Sequence, residues 1–198
     1  VALAIFQIEA GGLEAGGYRS NGRVKLKFEP HLFWFGSGIK TAKKYGSNNW
    51  EQISKYKSRG DFEKAYKCSG YGCGGGEKAS QIILDEAIAF CKQNNIDVNF
   101  AYQAASYGIP QIMGFWAKKL NFGSPKGLYD AFQESEGVQI EAFFRLVAGP
   151  MFLLGAMKSK DWLKIARTYN GSGCCKPGGI PYDKRLAEEY ANFKKQGY

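Results

Sequence analysis

The chain carries a single histidine, His31, and five cysteines, Cys68, Cys73, Cys91, Cys174 and Cys175, and this inventory narrows the chemistry open to it. Zinc hydrolases that need two His ligands are starved of them, and no C-x2-C spacing is present, so the sequence implies no metal and no other cofactor. A Ser-His or Cys-His nucleophile would have to recruit His31. That residue follows Glu29-Pro30 inside the aromatic run HLFWF and reads as a packed structural imidazole. No glycine-rich phosphate loop stands between a strand and a helix, which leaves nucleotide binding without support. Carboxylate chemistry remains. Glu9 ends an apolar run, with Ile5, Phe6 and Ile8 before it and Gly11-Gly12 just after. Partial desolvation and the negative end of a helix dipole both favour the neutral carboxyl. A general acid working near neutral pH requires that state. The plainer alternative is a Glu that points to solvent at a helix end.

The elements that must position Glu9 follow from apolar spacing. VALAIFQIEA predicts a helix stopped by the paired glycines, which supply a left-handed cap. RVKLKFE alternates, with Val24, Leu26 and Phe28 on one face, and predicts a strand that forms half of a short hairpin entered through RSNGR. Pro30 ends it, and HLFWF reads as a buried turn of helix. NNWEQISKYKS and DFEKAYK predict short helices, and KCSGYGCGGGEK a loop. Helices are expected at 77 to 94, 98 to 106, 110 to 119, 125 to 134, 136 to 148, 150 to 157 and 160 to 169. Ser124-Pro125 and Lys160-Asp161 supply starts. YDKRLAEEYANFKKQ closes the chain with a stripe at Leu186, Tyr190 and Phe193. Glu136 and Glu141 fall beside Gln139 and Phe144 at helical spacing and read as structural. The expected fold class is α+β, predominantly helical, in one domain spanning residues 1–198.

At 44% hydrophobic and 15% aromatic the composition is that of a globular protein, and no apolar run approaches the ~20 residues a membrane helix needs. VALAIFQIE lacks a basic leader and reads as part of the mature fold, not as a signal peptide. The net charge of +9 favours attraction to a polyanion: nucleic acid, an anionic membrane face or a bacterial envelope. The basic residues recur as KTAKK, KYKSR, AKK and FKK, not as one block, and no nucleic-acid motif underlies the charge. Cys68 and Cys73 flank SGYG and could close a small bridge, and Cys174 or Cys175 could be tied to something distant. Cys91, on the apolar face of LDEAIAFCKQ, reads as a buried free thiol.

Three segments, IEAGG around Glu9, SYGIPQIMG and ARTYNG, stand in this order with helices between them. They resemble the lysozyme-like superfamily of goose-type lysozymes and soluble lytic transglycosylases. Those proteins carry a catalytic Glu at a helix end, a Gly-x-x-Gln-Ile/Met segment and an Ala-Tyr-Asn segment. VKLKFEPHLF, ASYGIPQIMGF, FQESEGVQIEAFFRLV, KDWLKIARTYNG and YDKRLAEEYA extend the resemblance over nearly the whole chain. The closer resemblance is to the N-acetylmuramidase domain of phage endolysins and related bacteriolytic proteins. The resemblance implies a two-lobed fold with a small β-hairpin beside a cleft, acting as a monomer without cofactor on peptidoglycan. It implies Glu9 as general acid, and Glu29 as a second catalytic or substrate-binding carboxylate, the alternative being an ion pair with Lys25, Lys27 or Arg23. Ser106, Tyr107, Gln111, Phe115 and the backbone around Gly108 and Ile112 would meet the sugars. Tyr169 and Asn170 would close the site, the phenol orienting the acid or the sugar.

Two departures bear on the reaction. Ala10 stands where transglycosylases commonly have Ser, which leans toward hydrolysis of the bond between N-acetylmuramic acid and N-acetylglucosamine. The segment Tyr107-Gly108-Ile109-Pro110-Gln111 replaces the usual Trp-Gly-Leu-Phe-Gln. Lytic transglycosylation, and a non-catalytic peptidoglycan- or chitin-binding module with aromatic sugar platforms, are the competing expectations. Such an enzyme would be secreted, or delivered to the bacterial wall, with its basic surface against the anionic envelope.

Overall fold

The computed structural model describes residues 1–29, 32–33, 77–93, 95–171, 173–175 and 181–198. The expected helices in NNWEQISKYKS and DFEKAYK, the Cys68–Cys73 loop, Pro30 and His31 lie outside the described residues. Among those described, eight α-helices and a three-stranded antiparallel sheet make up the regular structure. In chain order they are α1 (Ala2–Ala10), β1 (Leu26–Phe28), α2 (Glu77–Gln93), α3 (Asn99–Tyr102), β2 (Ala105–Tyr107), β3 (Ile112–Met113), α4 (Pro125–Glu134), α5 (Glu136–Ala148), α6 (Leu154–Ser159), α7 (Trp162–Tyr169) and α8 (Tyr182–Lys195). A 3-10 turn spans Gly114–Trp116. No helix among the described residues is long and apolar enough to cross a membrane.

The chain forms two compact units, each discontinuous in sequence. The first comprises Val1–Gly22, Gly108–Pro110 and Ser135–Tyr198, and the second Arg23–Tyr107 and Gln111–Glu134.

In the second unit the sheet runs β1-β2-β3, with Leu26 opposite Tyr107 and Tyr107 opposite Ile112. The alternation in RVKLKF holds: Val24, Leu26 and Phe28 are buried and Lys27 is exposed. Lys27 pairs with Ser106, and the hairpin of the sheet is the one between β2 and β3. The helices expected at 98 to 106 and 110 to 119 are corrected. Only Asn99–Tyr102 is α-helical in the first, and the second is strand followed by a 3-10 turn. All of β2 is buried, so the two-residue period that marks a strand is hidden. Gly108 at φ 73° and Gln111 at φ 51° then break any helix through the segment.

Helix α2 packs on β1, where Phe33 meets Phe28 at 6.0 Å and Phe90 edge-on at 6.1 Å. Cys91 is fully buried here as a free thiol, and burial pushes its pKa up to about 12. Only the thiolate is nucleophilic. Iodoacetamide at pH 8 is therefore expected to leave Cys91 unmodified in the folded protein and to alkylate it in denaturant, as peptide mass spectrometry would reveal.

In the first unit α1 packs against α8, and α7 against both α6 and α8. Phe6 of α1 meets Phe143 of α5 edge-on at 4.8 Å. Ile5, Phe143, Leu146, Ile165 and Leu186 are fully or almost fully buried around it. Each such side chain contributes roughly 1.5–3 kcal/mol by its removal from water. The helix starts are capped as their residue types dictate. Ser124 accepts from the Gly127 N–H at 3.0 Å, Ser135 from Val138 at 3.4 Å and Asp161 from Lys164 at 3.1 Å. Cys174 and Cys175 stand as free thiols.

Candidate active site

Helix α1 ends because Gly11 adopts φ 82° and Gly12 φ 91°, conformations that side chains with a Cβ resist. Their N–H groups turn back to the carbonyls of Gln7 and Phe6, both at 3.1 Å. Glu9 sits half-buried on that last turn. Its Oε1 accepts a hydrogen bond from the hydroxyl of Tyr182, the first residue of α8, which is only 5% exposed. Burial raises the Tyr182 phenol far above its ordinary pKa, and the charge of Glu9 and the hydrogen bond to it raise it further. The phenol therefore keeps its proton and remains a donor.

Tyr169, at the end of α7, donates its hydroxyl to the carbonyl oxygen of Pro110 at 2.5 Å and meets Phe143 edge-on at 5.9 Å. Its phenol is likewise pushed well up, first by burial and then by the negative charge of Glu9. The first unit thus brings together Glu9, the Gly108–Pro110 turn and Tyr169. Within it, the hydroxyl bonded to the acid is that of Tyr182, and Tyr169 holds the turn instead. Asn170 follows in an exposed position, its N–H closing α7 onto the Ala166 carbonyl at 2.9 Å.

Two side chains three residues apart on α5 support this arrangement. Glu136 accepts the Gly17 N–H at 2.6 Å, and the fully buried Gln139 accepts the Ile109 N–H at 2.9 Å. Glu141 instead pairs with Arg145 at 2.6 Å on the exposed face. Neither glycine facing Gln139 has room for a side chain: a Cβ would stand 2.0 Å from Oε1 at Gly17 and 2.5 Å at Gly108. Gln139 and Tyr182 were not singled out from sequence. A signal existed for the first, because Gln139 falls on the same buried stripe as Ala142, Phe143, Leu146 and Val147.

The remaining candidates belong to the second unit. Glu29 forms an ion pair with Lys27 at 2.7 Å, its side chain 14% exposed, while Arg23 holds Asp85 through two hydrogen bonds of 3.0 and 2.9 Å. Ser106 is 5% exposed and donates to Gln111 Oε1 at 2.8 Å. Tyr107 is a core residue: it is fully buried, its hydroxyl donates to the Tyr102 carbonyl at 2.7 Å, and its ring meets Tyr129 at 5.4 Å. That leaves no face of its ring on which a sugar could stack, which corrects the expectation that it meets the sugars. Ile112 is also in the core at 1% exposure, and its backbone pairs with Tyr107 in the sheet. Phe115 is 42% exposed beside Trp116. It lines an open pocket of about 490 Å³ together with Phe100, Gln103, Asn99 and Lys118.

The model of the family described as N-acetylmuramidase matches residues 1–194. Among solved structures the chain is similar to the Burkholderia AP3 phage endolysin, at 24% identity and a TM-score of 0.64. The likeness covers 98% of this chain and 64% of that one, so the chain spans less than two thirds of the endolysin's length. It is a likeness of fold. No curated protein matches.

Proposed function

We propose that this chain, which belongs to the N-acetylmuramidase family, hydrolyses the β-1,4 bond between N-acetylmuramic acid and N-acetylglucosamine, with Glu9 as general acid. Membership carries the coarser statement, a glycosidase-type enzyme that acts on the peptidoglycan of the cell wall. One observation supports the finer reading above the rest. Glu9 stands half-buried at a helix end, bonded by one buried phenol and within the field of a second. A carboxyl so placed is partly shielded from water yet has a protonated neighbour to stabilise the charge left when its proton departs.

In this reading Glu9 protonates the glycosidic oxygen, the bond from that oxygen to the anomeric carbon breaks with oxocarbenium character, and water adds to the carbon. Glu29 is the carboxylate proposed to steer that water. Ser106 with Gln111, Phe115, Asn170 and the backbone at Gly108 and Ile112 are the proposed sugar contacts. Since the two units interleave along the sequence, residues 1–198 are proposed to act as one catalytic domain. The net charge of +9 would draw it to the anionic envelope, to which it would be secreted or delivered.

The test is mass spectrometry of the fragments released from purified peptidoglycan. Reducing muramic ends are expected. Anhydro ends would assign lytic transglycosylation, in which the substrate's own 6-hydroxyl attacks, and Ala10 after the acid speaks against that outcome. Intact strands with the protein retained on the wall would leave only a binding module.

A further inference from the structure

Resting on the reading of Glu9 as general acid, we infer that Tyr182 is its positioning residue. The donated hydroxyl occupies Oε1, confines the transferable proton to Oε2, and holds the carboxylate left behind. A neutral carboxyl has one oxygen that carries hydrogen and one that accepts. With Oε1 accepting from the phenol, the hydrogen resides on Oε2, and that oxygen is the one that can face the glycosidic oxygen. When the proton moves from Oε2 to the leaving oxygen and the bond to the anomeric carbon breaks, Glu9 becomes an anion. The Tyr182 bond then becomes charge-assisted and strengthens. An interaction that is stronger after transfer than before lowers the barrier; one equally strong in both states would not.

The surroundings fit that role. Tyr182 begins α8 directly after Pro181, whose φ of −70° is the value its ring imposes. The residue is buried, and α8 packs along α1, so the hydroxyl is held from both sides. Among the described residues, the charge of Glu9 acts on Tyr169 from α7 and on Tyr182 from α8, and Arg185, one turn beyond, acts on Tyr182. Tyr169 donates its hydroxyl to Pro110 and meets Phe143 of α5 edge-on. Of the two phenols, Tyr182 is therefore the one whose hydroxyl reaches the acid.

The experiment is Tyr182→Phe, read three ways beside Glu9→Gln. Loss of a hydrogen bond to a charged group is expected to lower kcat roughly 10- to 100-fold with KM little changed. A donor to the charged form makes a carboxyl more acidic, so its removal makes Glu9 hold its proton to higher pH. Because the acid must be protonated to act, the alkaline limb of the kcat profile should move up by about one to two pH units. The Glu9 carboxyl, followed by carbon NMR in the ligand-free protein, should titrate higher by a similar amount. Replacing Tyr182 by difluorotyrosine, a stronger donor of the same shape, should move that titration down. A drop in kcat with neither limb nor titration displaced would mean that Tyr182 only packs, and the inference would fall. So would a Tyr182→Phe enzyme indistinguishable from the parent. If Glu9→Gln kept full activity, the general-acid reading would fail separately, and the NMR titration would still report whether Tyr182 governs that carboxyl.

Discussion

Glu9→Gln is expected to slow the lysis of purified cell walls by roughly 10²- to 10⁴-fold, the usual contribution of a positioned general acid. That range corresponds to about 3–5 kcal/mol of transition-state stabilisation. The substitution isolates the proton, because glutamine matches the length of glutamate and its carbonyl oxygen can still accept from the Tyr182 hydroxyl. The cap formed by Gly11 and Gly12 and the Phe6–Phe143 contact involve the backbone and other side chains, so the fold should be untouched. Turbidity loss of chloroform-treated bacteria measures the rate, and a thermal melt of the same sample confirms an unchanged structure. Lysis at the parental rate, with the melt unchanged, would remove Glu9 from the chemistry.

A large loss of stability from one added methyl group near the site is expected at Gly108. Its φ of 73° is the left-handed region, where a residue with a Cβ pays roughly 1–2 kcal/mol. The new atom would also lie 2.5 Å from Oε1 and 2.7 Å from Cδ of Gln139. A flexible side chain would simply move. Gln139 has no such freedom: it is fully buried, and its Oε1 is the acceptor for the Ile109 N–H. Overpacking of that kind adds roughly 1–3 kcal/mol. Gly108→Ala is therefore expected to cost about 2–5 kcal/mol in all. In a chain of this size that lowers Tm by roughly 4–20 °C, at about 2–4 °C per kcal/mol. Gly155→Ala supplies the control. That glycine lies within α6 facing open space, so a methyl group there should be neutral or stabilise by about 0.5–1 kcal/mol through helix propensity. Equal melting temperatures for the two variants would refute the packing argument around Gln139.

What was legible in the sequence was what local rules govern. Helices α4 and α5 fall at 125–134 and 136–148 as their periodicity and flanking serines require. Helix α1 stops where its glycines stop it. The free, buried state of Cys91 follows from its place on an apolar face. The sheet was less legible because its information is not local. Nothing in LKF names ASY as its partner, and a strand with every side chain buried has no polar beat to betray it. At the candidate site, the type of Glu9 and its place before a double glycine were visible, whereas the Tyr169 hydroxyl, expected to orient the acid or the sugar, donates to the Pro110 carbonyl. Tyr182 was hidden within a segment noted only for its helical pattern. A phenol is read as core until coordinates give its hydroxyl an anionic acceptor.

The 173 residues separating Glu9 from Tyr182 carry a consequence for synthesis. The helix bearing the acid emerges from the ribosome before the α5 and α8 helices it meets, which come from residue 136 onward. Until position 182 has been translated, the nascent chain carries that carboxyl without the Tyr182 hydroxyl. The proposed general acid therefore gains its Tyr182 bond only after synthesis has passed the start of α8.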